Sequence, residues 1–568
     1  MGLLLWLACS PPTAGSAAES PRVSKSIDLT EDEPLDTSDS SDSGSPSDTG
    51  DTGDSAADDS GEASDTSGAT DTGDTADSGT EDSDGDGVID ELDCAPDDAT
   101  TYAGAPEVCG DAIDNNCNGS ADGCGLPASG SFGTADVIFT GVLAGDGAGY
   151  AAWVGDLDGD GIAEVVLTAF DENTTATWAG AVYVEHGPIT TGGSVGAFDA
   201  TLYGESANAH AGRSVWGGDF DSDGEGDLLI GAAGDASVAL DAGAVLMVTG
   251  PFSGSENLSA ADVLLTGEEE NDGIGWVVTG GDVNGDGGLD ALATAREDDD
   301  GGDNAGAVSV VFGPLSSGSF ADFDAKIIGE DAMDDAGWGA TAVDMNGDAI
   351  DDVLLGAEDE DAGGDGAGAG YLVLGPLSGV HDLAMADAKI IGEDADDDCG
   401  RVTWGGDVDG DGTMDVVMTC TRRDYYGYET GAVYVIHGPH SGEIDLSAAD
   451  AEILGEARDD WAGRALTAGD IDGDAVVDLV VGAEKNDESA TDAGATYLLR
   501  GPFSGITDLS TADYKWTGET MNDKSGWVAR TGDVDGDGWN DIVAGSWELD
   551  RAGEDAGGAY VLWGGPGL

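Results

Sequence analysis

Asp156-Leu-Asp158-Gly-Asp160-Gly-Ile-Ala-Glu164 is a nine-residue stretch with carboxylates at positions 1, 3, 5 and 9. The pattern returns as Asp219-Phe-Asp221-Ser-Asp223-Gly-Glu-Gly-Asp227, Asp282-Val-Asn284-Gly-Asp286-Gly-Gly-Leu-Asp290 and Asp344-Met-Asn346-Gly-Asp348-Ala-Ile-Asp-Asp352. It returns again as Asp407-Val-Asp409-Gly-Asp411-Gly-Thr-Met-Asp415, Asp470-Ile-Asp472-Gly-Asp474-Ala-Val-Val-Asp478 and Asp533-Val-Asp535-Gly-Asp537-Gly-Trp-Asn-Asp541. First positions lie 63, 63, 62, 63, 63 and 63 residues apart. With acids at 118 of 568 positions, one such stretch arises by chance roughly once in a chain of this size, so a single copy decides nothing. Seven in constant register mark a repeat array.

The rest of each repeat keeps phase. A Gly stands seven residues before every first acid, at Gly149, Gly212, Gly275, Gly337, Gly400, Gly463 and Gly526. A β-rich run follows each stretch, as in Asp227-Leu-Leu-Ile-Gly-Ala232. A second comes after it, as in Gly431-Ala-Val-Tyr-Val-Ile-His-Gly-Pro439, and a third precedes the next Gly, as in Ala386-Asp-Ala-Lys-Ile-Ile-Gly-Glu393. Short β-rich runs separated by Gly, Pro and Asp read as strands. With the run entering the acidic stretch, each repeat holds four strands, which is one propeller blade. The predicted fold is all-β: a seven-bladed propeller over 130–568.

The acidic stretch is then a hairpin turn. Alternate side chains point inward, so positions 1, 3 and 5 converge. Three or four converging carboxylates repel one another without a cation. Calcium accepts six to eight oxygens in flexible geometry, whereas magnesium demands a tighter octahedron. Calcium is therefore the expected cofactor.

These features resemble the FG-GAP repeats of integrin α subunits: the Gly before the loop, the Asp/Asn cage, the strand ending in Gly-Ala and the Gly-x-Val-Tyr-Val run. The resemblance covers about residues 133–568. The family's Phe-Gly pair is absent, with Trp or Val nearby instead. The resemblance implies a seven-bladed propeller with calcium on one face. It also implies a carbonyl ligand from position 7, here Ile162, Glu225, Gly288, Ile350, Thr413, Val476 and Trp539.

Ring closure is also predicted. The outer-strand run occurs first at Ala135-Asp-Val-Ile-Phe-Thr140, before the first loop. The last repeat ends at Gly558-Ala-Tyr-Val-Leu-Trp563 without one. The N-terminal run should therefore complete the C-terminal blade and remove an open edge. Cys399 and Cys420 fall opposite each other across the hairpin of the fifth loop, where a disulfide is expected.

The N-terminal quarter differs in composition. Residues 1–20 carry an apolar run ending in Ala8-Cys9. This resembles a lipoprotein cleavage site with Cys9 lipidated; the competing reading is ordinary signal cleavage near Ala17 and Ala18. Residues 21–81 are mostly Asp, Ser, Thr and Gly, and the expectation is a disordered acidic tether. Residues 82–125 form a small cysteine-rich, metal-binding segment. There Asp82, Asp84 and Asp86 take positions 1, 3 and 5 of a calcium loop, with Val88 at 7, Asp90 at 9 and Asp93 at 12. With Cys94, Cys109, Cys117 and Cys124, this segment resembles the metal-binding motif of MopE-type bacterial surface proteins. It lacks the His, Met and Trp that copper would want. The four cysteines allow two disulfides in three connectivities, or a zinc site.

A formal net charge of -101 repels nucleic acid and anionic membranes, so neither is an expected partner. The only membrane link foreseen is a lipid at Cys9. No catalytic set stands out. Gly192-Gly-Ser194-Val-Gly196 matches a nucleophile-elbow pattern but lies between strands. His186 and His437 hold equivalent places at strand ends, which suggests packing. The expected function is non-enzymatic: a monomeric, calcium-binding, extracellular adhesion or interaction protein that takes a protein or glycan on one propeller face. Tyr425, Tyr426, Tyr428, Trp178 and Trp547 are candidates for stacking on sugars. The alternatives are a structural surface protein that uses calcium only for stability, and a propeller-based polysaccharide enzyme.

Overall fold

The computed structural model describes residues 129–565. Cys9, the acidic tether, the Asp82–Asp93 loop and Cys94, Cys109, Cys117 and Cys124 lie outside the described residues.

In every repeat the strand before the acidic stretch turns back antiparallel into the strand after it. In the first repeat these are Ala148–Gly155 and Glu164–Ala169, followed by Ala181–Glu185 and Ala200–Tyr203. Seven such sheets close the ring, and each contains five strands rather than the expected four. The fifth is lent by a neighbour. Gly254–Asn257, from the connection inside the second repeat, lies parallel on the outer strand Ala200–Tyr203 of the first. Gly379–Asp382, Gly442–Asp445 and Gly505–Asp508 do the same for blades 3, 4 and 5. These lent strands are short, polar and mostly exposed, so no hydrophobic alternation announces them. Each covers an edge that would otherwise be open.

The N-terminus closes the ring twice. Val137–Thr140 pairs antiparallel with the last strand, Gly558–Leu562, as the repeat phase predicts. Ser129–Ser131 also pairs parallel with Tyr514–Thr517 of blade 6. Gly193–Ser194 then lies on Val137–Thr140, and Ser194 donates to the Gly141 carbonyl.

The core is a series of wedges between neighbouring blades. Val137, Phe139, Val543 and Val561 of blade 7 pack with Val165, Leu167 and Tyr183 of blade 1, and six similar wedges follow around the ring. The strand after each acidic stretch is buried along its whole length, which explains its continuous apolar sequence. The recurring Gly before each loop has a specific cause. Gly149 has φ +81 and Gly400 has φ +92, and a Cβ at either would strike a neighbouring carbonyl.

Polar ties cross some wedges. Lys326, fully buried, holds Asp298 at 2.8 Å, Asp300 at 2.6 Å and Glu268. Lys389 bridges Glu330 and Glu360, Arg423 bridges Glu393 and Asp394, and Lys515 bridges Glu456 and Glu488. A buried cation is tolerated when carboxylates surround it in this way. In blade 5, Cys399 and Cys420 are register partners and are joined as a disulfide.

Candidate metal centres

Hairpin register builds each acidic loop. Position 9 is the first residue of the second strand and pairs with the last residue of the first, as in Gly155 with Glu164 and Gly406 with Asp415. Between them the backbone coils around position 1. Asp407 accepts from Gly410 N at 2.8 Å through one oxygen and from Gly412 N at 2.9 Å through the other. Asp409 accepts from Asp411 N at 3.0 Å, and Asp411 accepts from Thr413 N at 2.7 Å. The same bonds recur around Asp156, Asp158 and Asp160, and around Asp533, Asp535 and Asp537. Asp219, Asp221 and Asp223, and Asp470, Asp472 and Asp474, repeat it with small changes.

Positions 4 and 6 take positive φ in every loop. Gly fills them except at Ser222, Ala349 and Ala475. The glycines flanking position 5 therefore follow from backbone geometry.

Position 9 is held from two sides. Asp415 Oδ2 accepts from Val408 N at 2.9 Å, and its Oδ1 accepts from Gly438 N at 2.9 Å. Asp227, Asp290, Asp352, Asp478 and Asp541 repeat the arrangement. All are buried. Burial pushes Asp290, Asp352 and Asp478 up to about 6 and Asp541 to about 7, with neighbouring loop carboxylates adding to the shift.

Carboxylate oxygens of Asp156, Asp158 and Asp160 lie within 4.8 Å of one another, as do those of Asp219, Asp221 and Asp227, and of Asp407, Asp409 and Asp415. In loop 3 the Asn284 amide donates to Asp290, and in loop 4 Asn346 donates to Asp352. The position 7 residues Ile162, Glu225, Gly288, Ile350, Thr413, Val476 and Trp539 each donate their N–H to the position 5 carboxylate. The donor set is thus hard oxygen almost throughout, which suits calcium. The loops also touch their neighbours: Asp351 N donates to Asp282 O at 3.0 Å, and Ala163 N to Asp533 O at 2.8 Å.

Two histidines join this site. His186 Nδ1 stands 3.4 Å from Glu164 and 3.7 Å from Asp158, and its Nε2 is 3.0 Å from Phe252 O. His437 Nδ1 stands 3.5 Å from Asp409. Their shared sequence position reads as packing; the ring places that position over the loop mouth. Arg500 reaches loop 6, 3.5 Å from Asp472.

By connectivity, the opposite face carries the turns between second and third strands and the entries to the first strands. Trp178, Tyr425, Tyr426 and Tyr428 lie there, each about half exposed. Trp547 is instead packed, 5.9 Å from Tyr150 and 5.3 Å from Trp527 between ring centroids.

A model of the FG-GAP-like repeat matches residues 406–481, which span the fifth loop through the sixth. Integrin alpha pat-2 of Caenorhabditis elegans is 29% identical over 237 residues, covering 38% of this chain and 18% of that protein. Integrin alpha pat-2 of Caenorhabditis briggsae is 27% identical over 235 residues, with the same coverage of each chain. The chain therefore spans about a fifth of the length of these curated relatives. It carries FG-GAP repeats and is similar to integrin α over that stretch.

Proposed function

We propose that this chain is a calcium-loaded adhesion or interaction protein working outside the cell. The observation that carries this reading is the set of seven hairpin loops coiled around their position 1 carboxylates, with loops 1, 2 and 5 bringing three carboxylates within 4.8 Å of one another. Calcium would be held by positions 1, 3, 5 and 9, with the position 7 carbonyl completing the set. The cation would offset the mutual repulsion of these carboxylates and fix the turn of each hairpin. The opposite face, with Trp178 and the Tyr425–Tyr428 cluster, is then free to engage a protein or glycan. The Cys399–Cys420 disulfide supports an oxidising compartment.

Thermal melts in EDTA and in millimolar calcium test the reading. A ligand held only by the native state adds about 2.7 kcal/mol per site at a hundred times its Kd. Calcium should raise the melting temperature clearly; an unchanged value rejects the metal assignment. Glycan-array binding lost in Tyr426→Ala would support recognition by the opposite face.

A further inference from the structure

Six of the seven residues that follow the recurring glycines line the central channel: Tyr150, Trp276, Trp338, Arg401, Arg464 and Trp527. The seventh, Arg213, lines an adjoining pocket with Tyr150 and Trp276. Three residues further along the same strands, Trp153, Trp216, Trp404 and Arg530 line the channel more deeply. The chain has only 17 basic residues against 118 acids, yet it places three arginines here, Arg401, Arg464 and Arg530.

Their neutralisation is incomplete. Lys326, Lys389, Arg423 and Lys515 are each clamped by two or more carboxylates. In the channel, Arg401 meets one carboxylate, Glu358, at 3.2 Å, and Arg464 meets one, Glu484, at 3.7 Å. Arg213 has no carboxylate partner among the described residues; it stacks on Trp276 at 3.7 Å and on Tyr150 at 4.8 Å. Arg530 donates only to the backbone oxygen of Ala529. The Nε atoms of Arg401 and Arg464 are buried without a hydrogen bond among the described residues, that of Arg464 facing Glu484 from 3.7 Å. Burial and the neighbouring Arg401 push Arg464 down to about 10, and burial with Arg296 and Arg401 nearby lowers Arg213. Buried, under-neutralised charge is costly unless something of opposite sign completes it.

The ligand class follows from the walls. Guanidinium forks match planar oxyanions in paired hydrogen bonds. The cavity is about 420 Å³, far more than a bare inorganic anion fills and within the range of small-molecule sites. On the rim, Arg401 stacks on Trp338 at 4.4 Å and Arg464 on Trp527 at 3.6 Å; further along the strands Trp153, Trp216 and Trp404 carry no such cation among the described residues, and their broad faces suit the C–H faces of a pyranose ring. We propose that the channel binds a uronic acid, its carboxylate held by Arg401 and Arg464 and its ring laid against Trp153, Trp216 and Trp404. This deepens the interaction reading and rests on its glycan branch.

Tryptophan fluorescence titrations of the whole chain in calcium buffer test it, with galacturonate, galactose and acetate as probes. Galacturonate should give a saturable change, with galactose and acetate at least about tenfold weaker. Arg464→Gln should weaken galacturonate by at least about tenfold, and Met385→Ala, on the exposed outer turn Leu383–Met385, should not. Absence of saturation, equal affinity for galactose, or wild-type affinity in Arg464→Gln overturns the inference. The three-probe comparison on the unmodified chain stands even if the variant fails to fold. A calcium-dependent melting shift in the same samples separates failure of the channel from failure of the metal loops.

Discussion

Removal of residues 1–141 should unlatch the ring, whereas removal of 1–126 should leave its stability unchanged. The difference between the two truncations is the pair of closing segments, Ser129–Ser131 and Val137–Thr140. Phe132 is 0% exposed, and Val137 and Phe139 are each 1% exposed. Phe132 stacks on Tyr560 at 4.5 Å, and Phe139 meets Phe198 edge-on at 4.8 Å. Burial of each such side chain is worth about 1.5–3 kcal/mol, so the three together contribute roughly 5–9 kcal/mol. That is comparable with the whole stability of an ordinary domain. The loss also bares one edge of Gly558–Leu562, whose residues pair with Val137–Thr140. Guanidinium titration should show the shorter chain unfolding at a much lower midpoint, and hydrogen exchange should speed up first across Gly558–Leu562. The single change Phe139→Ala should cost about 3–5 kcal/mol in the full chain. Equal midpoints for the two truncations would refute the double latch.

Replacing both Cys399 and Cys420 by Ser should lower stability by about 3 kcal/mol, given the separation of 21 residues, and non-reducing peptide mapping should find the pair linked in the native chain. Ala349→Gly and Ala475→Gly relieve positive φ values of 67 and 68 and should each add about 0.5–1 kcal/mol of stability, read as a higher denaturation midpoint; a fall in midpoint would contradict the loop geometry. Burial raises Asp334 and Asp397 to about 7 and Asp272 and Asp460 to about 6. The folded state therefore holds these protons more tightly than the unfolded state, and the contribution of these groups to stability falls as pH rises from about 4 through about 7. Calorimetry in calcium-free buffer should give a higher melting temperature at pH 5.5 than at pH 8.

Much of the architecture was legible because repetition turns weak local signals into strong ones. Asp227–Ala232, predicted as a strand from its apolar run, is a strand with those bounds. The pairing of Val137–Thr140 with the last strand followed from counting outer-strand runs alone. The Cys399–Cys420 bond followed from loop phase. The lent strands were not legible. Gly379-Val-His-Asp382 is held by backbone hydrogen bonds to an outer strand, and its mostly exposed side chains leave no apolar rhythm. The same limit hid the loop-mouth role of His186 and His437, because a strand end shows which residue comes next but not what faces it across the ring. Trp547 looked like a free loop aromatic; it packs against Trp527 of its own blade and against Tyr150 of the first blade, which only closure brings beside it.

The double latch also has a consequence in time. Val137–Thr140 is made early in synthesis, but its partner Gly558–Leu562 comes more than four hundred residues later. At 5–20 residues per second the wait is on the order of 20–80 s. Throughout it, Val137 and Phe139 have no wedge to enter, and their strand presents bare hydrogen-bonding edges. Whatever receives the growing chain must keep this segment from pairing with the wrong blade. The hazard ends only when the last blade arrives.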